Sequence, residues 1–319
     1  MKVLVLSVGI RVKLIQALKN AGMYVIATDC SPAAPGLYVA DEYQLTLPFG
    51  TQEYLEELLV LCKEKKIDGI FSLIDPEIDY LAEHASLFSE LGTTPILSSR
   101  QTITQCFDKL LFAKECQMAG IPTTATYEDF EEFALAYQNK KIEFPVFVKP
   151  RCGSASIAIQ KIQTSEELQH VMKNNPDLII QKFMNGIEYG VDLYCDLKTG
   201  EIIQFFIKEK LKMRAGETDK ARSVANEQID GLLLEVAEHF DLRGPIDLDI
   251  FEVDGKFYLS EINPRFGGGY PFAEISGATF AQLILKNLSG EINVPQKLIY
   301  ETGQLLMKYP EVIVAPNQE

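Results

Sequence analysis

Residues 246–265 read IDLDIFEVDGKFYLSEINPR, two segments of alternating apolar and polar residues separated by a turn sequence. Alternation with a period of two predicts strands, and Asp254-Gly255 predicts a tight turn between them. The stretch therefore predicts an antiparallel β-hairpin. The polar positions of this hairpin are mostly carboxylates, which a plain solvated sheet face does not require.

The length of the turn decides where those carboxylates point. A two-residue turn at Asp254-Gly255 would place Asp249 and Glu261 on opposite faces of the hairpin. A three-residue turn would place them directly opposite each other on one face, with Asp247 opposite Asn263. Carboxylates gathered on one face repel each other unless a cation lies between them, and Mg²⁺ prefers carboxylate and amide oxygens. A metal site therefore predicts the three-residue turn.

The hairpin runs into a cation and a flexible segment. Arg265 follows the second strand, and Gly267, Gly268 and Gly269 come directly after it. A guanidinium beside a glycine run suits a phosphate group, because the backbone can approach the anion closely and the arginine can pair with it. A solvated polar strand would explain the alternation but neither of these features.

Composition excludes several classes of protein. The net charge of −15 argues against a general nucleic-acid binder or a protein that binds anionic membranes, because both need a basic surface. The six cysteines are scattered, without a C-x-x-C pair, which favours a reducing cytoplasm over a disulfide framework or a zinc site. The opening MKVLVLSVG is predicted to be a strand and not a signal peptide. We expect a cytoplasmic protein.

The first hundred residues alternate strand and helix patterns. Strands are predicted at 2–8, 24–29, 43–47 and 67–75, with helices at 12–22 and 51–65. This βαβ order predicts a parallel sheet with helices on both faces. The first turn, SVGIR, lacks the G-x-G-x-x-G pattern of dinucleotide-binding domains, so a dehydrogenase is disfavoured.

A second unit contains candidate phosphate-binding groups. A helix is predicted over 106–122, and the strand FPVFVKP (144–150) leads into the loop RCGSAS (151–156). Small residues let backbone N–H groups approach phosphate oxygens, although the same residues also suit a simple turn. Lys109 and Lys149 lie at the boundaries of these apolar elements, where a cation is costly unless an anion meets it.

The third unit contains two more segments of interest. In QKFMNGIEYGVDL (181–193), Asn185-Gly186 predicts a hairpin turn, and Glu188 follows it. The segment KEKLKMRAGETDKAR (208–222) is the most basic part of this acidic chain and includes Lys210 and Arg214. It could supply a cation to a transition state or bind a substrate carboxylate, or it could be a mobile solvated loop. The sequence leaves these alternatives open.

In this order the motifs resemble the ATP-grasp superfamily. The resemblance rests on Asp108-Lys109, FPVFVKP, the small-residue loop, QKF…G…E, and above all D-x-D…E-x-N-P-R followed by glycines, and it covers nearly the whole chain. It implies a mixed α/β and α+β fold, with a Rossmann-like pre-ATP-grasp domain (1–100) before a two-lobed ATP-grasp fold (101–180 and 181–319). The nearest likeness is to stand-alone proteins similar to one ATP-grasp module of the carbamoyl phosphate synthase large subunit.

The resemblance also implies roles for individual residues. Phosphate and nucleotide contacts would come from Lys109 and Lys149, and the loop with Gly153, Ser154 and Ser156 would close over the triphosphate. The adenine would lie against Gln181, Lys182 and Phe183, and the ribose against Glu188. Magnesium, with manganese as an alternative, would bind Asp249, Glu261 and Asn263. Arg265 would stabilise the transferred phosphoryl group, and we assign Lys210 and Arg214 to catalysis with it.

The implied activity is an ATP-dependent ligase that joins a small carboxylate to an amine through an acyl phosphate. Bicarbonate phosphorylation, as in carbamoyl phosphate synthase, and an inactive nucleotide-binding regulator are the alternatives, and a homodimer is compatible with each. Two features depart from the family pattern. Asp249 stands where many members have Glu or Gln, and the loop CGSAS contains fewer glycines than usual.

Overall fold

The computed structural model describes residues 1–153 and 159–315. Its first domain is a five-stranded parallel sheet in the order β3-β2-β1-β4-β5, with helices on both faces, as predicted. The elements are β1 (Lys2–Leu6), α1 (Val12–Asn20), β2 (Tyr24–Asp29), a 3₁₀ turn (Pro35–Val39), β3 (Glu42–Leu45), α2 (Gln52–Lys65), β4 (Gly69–Ser72), α3 (Asp75–Glu83), α4 (Ala85–Glu90) and β5 (Thr94–Pro95).

The strand order of this sheet reverses between β1 and β4. From β1 the chain moves outward through β2 to β3, then returns to the other side of β1 to form β4. A crevice opens at such a point, outside the carboxyl ends of the two strands, and ligands of α/β proteins bind there. Arg11 lies in the loop after β1, and Asp75 follows β4.

The second unit is a four-stranded antiparallel sheet in the order β6-β9-β7-β8, covered by helices. Its elements are α5 (Arg100–Phe107), α6 (Lys109–Ala119), β6 (Thr126–Tyr127), α7 (Phe130–Gln138), β7 (Val146–Pro150), β8 (Gln160–Ile162), α8 (Ser165–Asn174) and β9 (Leu178–Lys182). The helix predicted over 106–122 is confirmed for Lys109–Ala119, which ends at Gly120, but its first turn is wrong. Asp108 interrupts it, because its carboxylate accepts the N–H groups of Leu110 and Leu111 and so caps α6.

The third unit is a six-stranded antiparallel sheet in the order β14-β13-β10-β11-β12-β15. Its elements are β10 (Ile187–Cys195), β11 (Ile202–Arg214), β12 (Glu217–Val224), α9 (Glu227–Phe240), β13 (Gly244–Val253), β14 (Lys256–Asn263), α10 (Tyr270–Ile275), α11 (Phe280–Leu288) and β15 (Leu305–Met307). The basic segment 208–222 is therefore not a loop. It forms the end of β11, a turn at Ala215-Gly216, and most of β12.

The hairpin β13–β14 combines features of both predicted registers. Its turn has two residues, since Val253 pairs with Lys256, and the three-residue turn is wrong. Asp249 nevertheless lies opposite Glu261, because the register shifts by one residue between Ile250 and Asp249. The extra residue on β14 is Ser260, so the strand contains a β-bulge at that position.

The bulge has a physical cause in the spacing of the core residues. Leu259 and Ile262 are both fully buried, and they pair with Ile250 and Leu248 on the core face of β13. A strictly alternating strand cannot place residues three apart on the same face. The added residue restores both core contacts and turns Glu261 toward the opposite face.

No helix in the described part of the chain combines the length and the hydrophobicity that a membrane span requires. All six cysteines are free thiols.

Candidate active site

One face of the six-stranded sheet is lined with charged groups. The other face is apolar and packs against α9, with Val191, Leu193 and Leu248 buried in that core. Alternation then places Asp192, Asp247 and Asp249 on the opposite face, and the register sets Asp192 beside Asp247 on neighbouring strands. These carboxylates would repel each other, and the following contacts show that lysines and an arginine separate them.

Lys210 bridges two of the carboxylates. Its Nζ lies 2.8 Å from Glu188 Oε1 and 2.5 Å from Asp249 Oδ1. Burial alone would lower the pKa of Lys210, but Asp249 and Glu188 raise it well above its usual value. Burial raises the pKa of Glu188, and Lys210 offsets part of that effect. Lys210 is thus a cation in the middle of the site.

A second lysine is buried beneath this one. Lys208 forms an ion pair with Asp192, and both side chains are almost completely buried. Two glycines leave room for it: a Cβ at Gly190 would lie 3.2 Å from Lys208 Cε, and a Cβ at Gly269 would lie 2.6 Å from the same atom. The glycine run after Arg265 therefore packs directly on the lysine of the sheet.

Glu261 lies between two lysines of the second unit. Lys109, the first residue of α6, places its Nζ 3.0 Å from Glu261 Oε1 and also donates to the Gly153 carbonyl. Burial alone would raise the pKa of Glu261, but Lys109 and Lys149 lower it below its usual value. Burial also lowers the pKa of Lys149. Glu261 is therefore held as a carboxylate.

Lys109 and Glu261 line a small cavity with an interior of about 10 Å³, about the size of one water molecule. Its polar lining includes Asp75, Lys109, Gly153, Glu261 and Asn263. The cavity brings residues from all three units of the chain to one place.

Arg265 joins the sheet to the first domain. Its Nε lies 2.7 Å from Asp75 Oδ1 and its NH2 lies 3.1 Å from Asp75 Oδ2, a bidentate pair. Its NH1 lies 3.8 Å from Asp247 Oδ2. The guanidinium is thus fixed between the carboxyl end of β4 and the charged face of the third unit.

The residues predicted to meet the adenine lie at and just beyond the end of β9, where the chain leaves the four-stranded sheet for the six-stranded one. Gln181 is buried and donates from Nε2 to Thr126 Oγ1. Phe183 packs edge-to-face on Phe147, and Lys161 Nζ lies 3.9 Å from the centre of the Phe183 ring. Lys182 is exposed. The adenine contact itself stays a prediction.

Three of the predicted site residues need separate mention. Ser154 and Ser156 lie outside the described residues. Arg214 is exposed next to the turn of the β11–β12 hairpin, four residues beyond Lys210, which is part of the charged face.

Sequence reasoning missed other residues of the site. Asp75 is the partner of Arg265, and a signal for it existed: it follows a strand of a parallel sheet at the carboxyl end, where α/β proteins place ligand-binding groups. Lys208 shares the charged face with Lys210 two residues away, as the strand period requires. Composition leaves open whether 208–222 is a loop, and composition alone does not show which face its lysines are on.

Comparisons with known proteins identify the class. Residues 106–269 match the ATP-grasp domain family, and residues 3–96 match the family described as "PylC-like, N-terminal domain". The chain belongs to the ATP-grasp family. It is an ADP-forming carboxylate–amine ligase of that family, with ATP and Mg²⁺ as its cofactors.

Individual relatives are distant in sequence. The chain is 24% identical over 280 residues to the 3-methyl-D-ornithine–L-lysine ligase of Methanosarcina mazei, covering 86% of this chain and 68% of the relative. It is 28% identical over 263 residues to the D-alanine–D-alanine ligase of Acetivibrio thermocellus, covering 70% of this chain and 68% of the relative. The match to the carbamoyl phosphate synthase large chain of Vibrio cholerae, at 21% identity, covers 95% of this chain but only 29% of the larger protein.

Solved structures share the fold. The ADP complex of N5-carboxyaminoimidazole synthetase from Staphylococcus aureus superposes with a TM-score of 0.78 at 18% identity, covering 97% of this chain and 82% of that one. The L-amino acid ligase of Bacillus licheniformis gives a TM-score of 0.69 at 18% identity, covering 90% and 73%.

The charged face is compatible with bound Mg²⁺. Within the described residues, no three side chains of the His, Cys, Asp and Glu types come together so as to hold a metal ion by themselves. Mg²⁺ needs fewer, because it is usually bound by one or two carboxylates together with substrate phosphates and water. Asp249 and Glu261 face each other, and each is paired with an ammonium group. The two carboxylates therefore favour cations at this position.

Proposed function

We propose that this enzyme activates a small carboxylate with ATP and joins it to an amine. A carboxylate oxygen attacks the γ-phosphorus, the bond to ADP breaks, and an acyl phosphate forms. The amine nitrogen then attacks the acyl carbon, phosphate leaves with the electrons of the broken C–O bond, and the nitrogen loses a proton. The products are an amide, ADP and phosphate. The observation that carries the proposal is Glu261 opposite Asp249, with Lys109 of the second unit paired to Glu261 and Lys210 of the third unit paired to Asp249.

Each group in the site has a role that its environment supports. Asp249, Glu261 and Asn263 would hold Mg²⁺, which neutralises charge on the phosphate oxygens. Lys109 and Lys149 approach Glu261 from the second unit and would contact the phosphates beside it. Lys210 lies where positive charge would offset the developing negative charge of phosphoryl transfer.

Arg265 would stabilise the phosphoryl group while it is transferred. Asp75 fixes its guanidinium by two hydrogen bonds, so the arginine needs no reorganisation when charge develops. Glu188 would orient the ribose, and Gln181, Lys182 and Phe183 would enclose the adenine at the junction of the two sheets. The loop that begins at Gly153 would cover the triphosphate.

Hydroxylamine provides a test that needs no knowledge of the natural amine. It captures acyl phosphates as hydroxamates, so ADP release and hydroxamate formation are measured with Mg·ATP, hydroxylamine and a panel of small carboxylates that includes bicarbonate. We expect at least one carboxylate to give both products. Glu261→Gln should lower this turnover about 100-fold or more. Glu209→Gln, on β11 between Lys208 and Lys210, is the matched control and should retain it, because Glu209 pairs with Arg222.

The alternatives give different results in the same assay. Stimulation by bicarbonate alone would favour the carbamoyl-phosphate-type reaction. Binding of Mg·ATP without turnover for any carboxylate would contradict the ligase and support a regulatory nucleotide-binding protein.

A further inference from the structure

A charged cluster outside the phosphate site joins the first domain to the third unit. Arg11 NH1 lies 2.5 Å from Glu217 Oε1, and Lys308 Nζ lies 2.8 Å from Glu217 Oε2. About a quarter of each of the three side chains is exposed, so a small molecule can reach them. Burial alone would raise the pKa of Glu217, but Arg11 and Lys308 lower it below its usual value. The cluster is therefore two cations around one carboxylate.

Arg11 places the cluster beside the crevice of the parallel sheet. Arg11 follows β1, at the carboxyl end and beside the point where the strand order reverses, which is where α/β proteins bind ligands. Asp75 follows β4 on the other side of the same crevice, and it holds Arg265. Arg11 and Asp75 thus follow the two strands between which the order reverses, and Asp75 contacts Arg265 of the active site.

The glycine run connects the cluster with the active site. A Cβ at Gly268 would lie 2.6 Å from Glu217 Cδ and 2.8 Å from Arg11 NH1, and a Cβ at Gly267 would lie 2.4 Å from Asp247 Oδ1. The two glycines are neighbours, about 3.8 Å apart between Cα atoms. The Arg11 cluster and the charged face therefore lie one residue apart along the same stretch of backbone, within the length of a small amino acid.

The charge of the cluster identifies the groups that suit it. Two cations and one carboxylate leave one positive charge, which a ligand carboxylate would balance. The planar guanidinium of Arg11 suits a carboxylate, and Glu217 suits the N–H donors of a neutral amino group. The carboxylate that is phosphorylated belongs at Arg265, so a second carboxylate-binding point indicates that the other substrate also carries a carboxylate.

We propose that Arg11, Glu217 and Lys308 bind the amine substrate, and that this substrate is an amino acid. Arg11 and Lys308 hold its carboxylate, and Glu217 accepts a hydrogen bond from the neutral amino group of the same molecule beside the glycine run. This inference rests on the proposed function, because it assigns the second substrate of that reaction.

The test compares amines with and without a carboxylate. A carboxylate that supports hydroxylamine-dependent turnover is supplied with Mg·ATP and, in separate reactions, with each proteinogenic amino acid, with D-alanine and with the corresponding amino acid amides. We expect at least one amino acid to be used at least about 10-fold better in kcat/KM than its amide. Arg11→Ala should raise KM for that amino acid about 10- to 100-fold and leave hydroxylamine-dependent turnover at the wild-type level.

Controls separate binding from folding. Lys13→Ala removes a cation two residues along the chain that pairs with Glu311, and it should leave all these values unchanged. Arg11→Lys keeps the charge without the planar fork and should give a smaller KM increase, so the proposal stays testable if the alanine variant does not fold. Glu217→Gln should weaken use of the amino acid but not of hydroxylamine.

Two results would overturn the inference: equal use of amino acids and amides by the wild type, or an Arg11→Ala variant that loses hydroxylamine and amino-acid turnover to the same extent. A different failure, in which no carboxylate supports ADP release even with hydroxylamine, would refute the proposed function itself and the inference with it.

Discussion

At the scale of single residues, the site depends on charges that are buried in pairs. Lys208 and Asp192 form the most deeply buried pair, and burial raises the pKa of Asp192 while Lys208 offsets part of that effect. A buried pair adds little stability compared with apolar residues, but removing one partner leaves an uncompensated charge. Stability should therefore depend strongly on keeping both partners of this pair.

We predict that Lys208→Met lowers the free energy of unfolding by about 3–5 kcal/mol at pH 8. Without Lys208, Asp192 keeps a raised pKa in the folded state. The free energy of unfolding therefore falls as the pH rises above the pKa that Asp192 has in the unfolded chain. The deficit should accordingly be smaller at pH 5 than at pH 8. Urea unfolding at both pH values measures it.

Asp192→Asn combined with Lys208→Met is the matched variant, and it should recover much of the loss because the buried carboxylate is gone. A loss below about 1 kcal/mol for Lys208→Met, the size typical of a surface pair, would contradict the account.

Some residue positions could be predicted from the sequence and others could not. Asp249 and Glu261 were expected to face each other, and they do. The pair between Arg265 and Asp75 spans 190 residues. Local patterns do not contain such a contact, because it depends on how the first domain packs against the third unit.

At the scale of elements, the bulge at Ser260 determines which residues reach the site. The predicted facing of Asp249 and Glu261 was right although the predicted turn was wrong. The spacing of Leu259 and Ile262 contains the missing information, since two core residues three apart on a strand require an inserted residue. The requirement that Asp249 face Glu261 does not by itself show where the extra residue lies, and it led to the prediction of a three-residue turn.

Deletion of Ser260 tests this assignment. The deletion brings Leu259 and Ile262 two residues apart, so a regular strand keeps both in the core and Glu261 opposite Asp249 without a bulge. We therefore predict that the deletion variant retains hydroxylamine-dependent turnover. Ser260→Gly keeps the residue count and the bulge, and it should remain near wild type. A folded deletion variant that loses turnover about 100-fold or more would show that the bulge itself, and not the facing of Asp249 and Glu261, determines the site.

At the scale of the whole molecule, the parallel sheet and the two-lobed arrangement could be predicted, because they follow from βαβ order and from motifs in a fixed sequence. The basic segment 208–222 could not be placed from its composition. Its alternation turns Lys208 and Lys210 into the site, whereas Arg214 is exposed beside the turn. Composition gives the charge of the segment, and the strand period gives the face of Lys208 and Lys210. Arg214 has the same period but lies beyond the register shifts between Lys210 and Met213.

The whole-molecule arrangement also explains why the site is shared among three units. The first domain contributes Asp75, the second contributes Lys109, and the third contributes Lys210, Arg265 and the carboxylates Asp249 and Glu261. Closing these units around the substrates would exclude water from an acyl phosphate, which otherwise hydrolyses.

The central claim is that the carboxylate substrate is activated by transfer of a phosphoryl group to one of its own oxygens. The most direct measurement uses the carboxylate that supports turnover, labelled with ¹⁸O in both oxygens, and analyses the released phosphate by mass spectrometry. An acyl phosphate predicts one ¹⁸O atom in each phosphate formed, in the presence of the amine and of hydroxylamine alike. Release of unlabelled phosphate together with amide formation would contradict it.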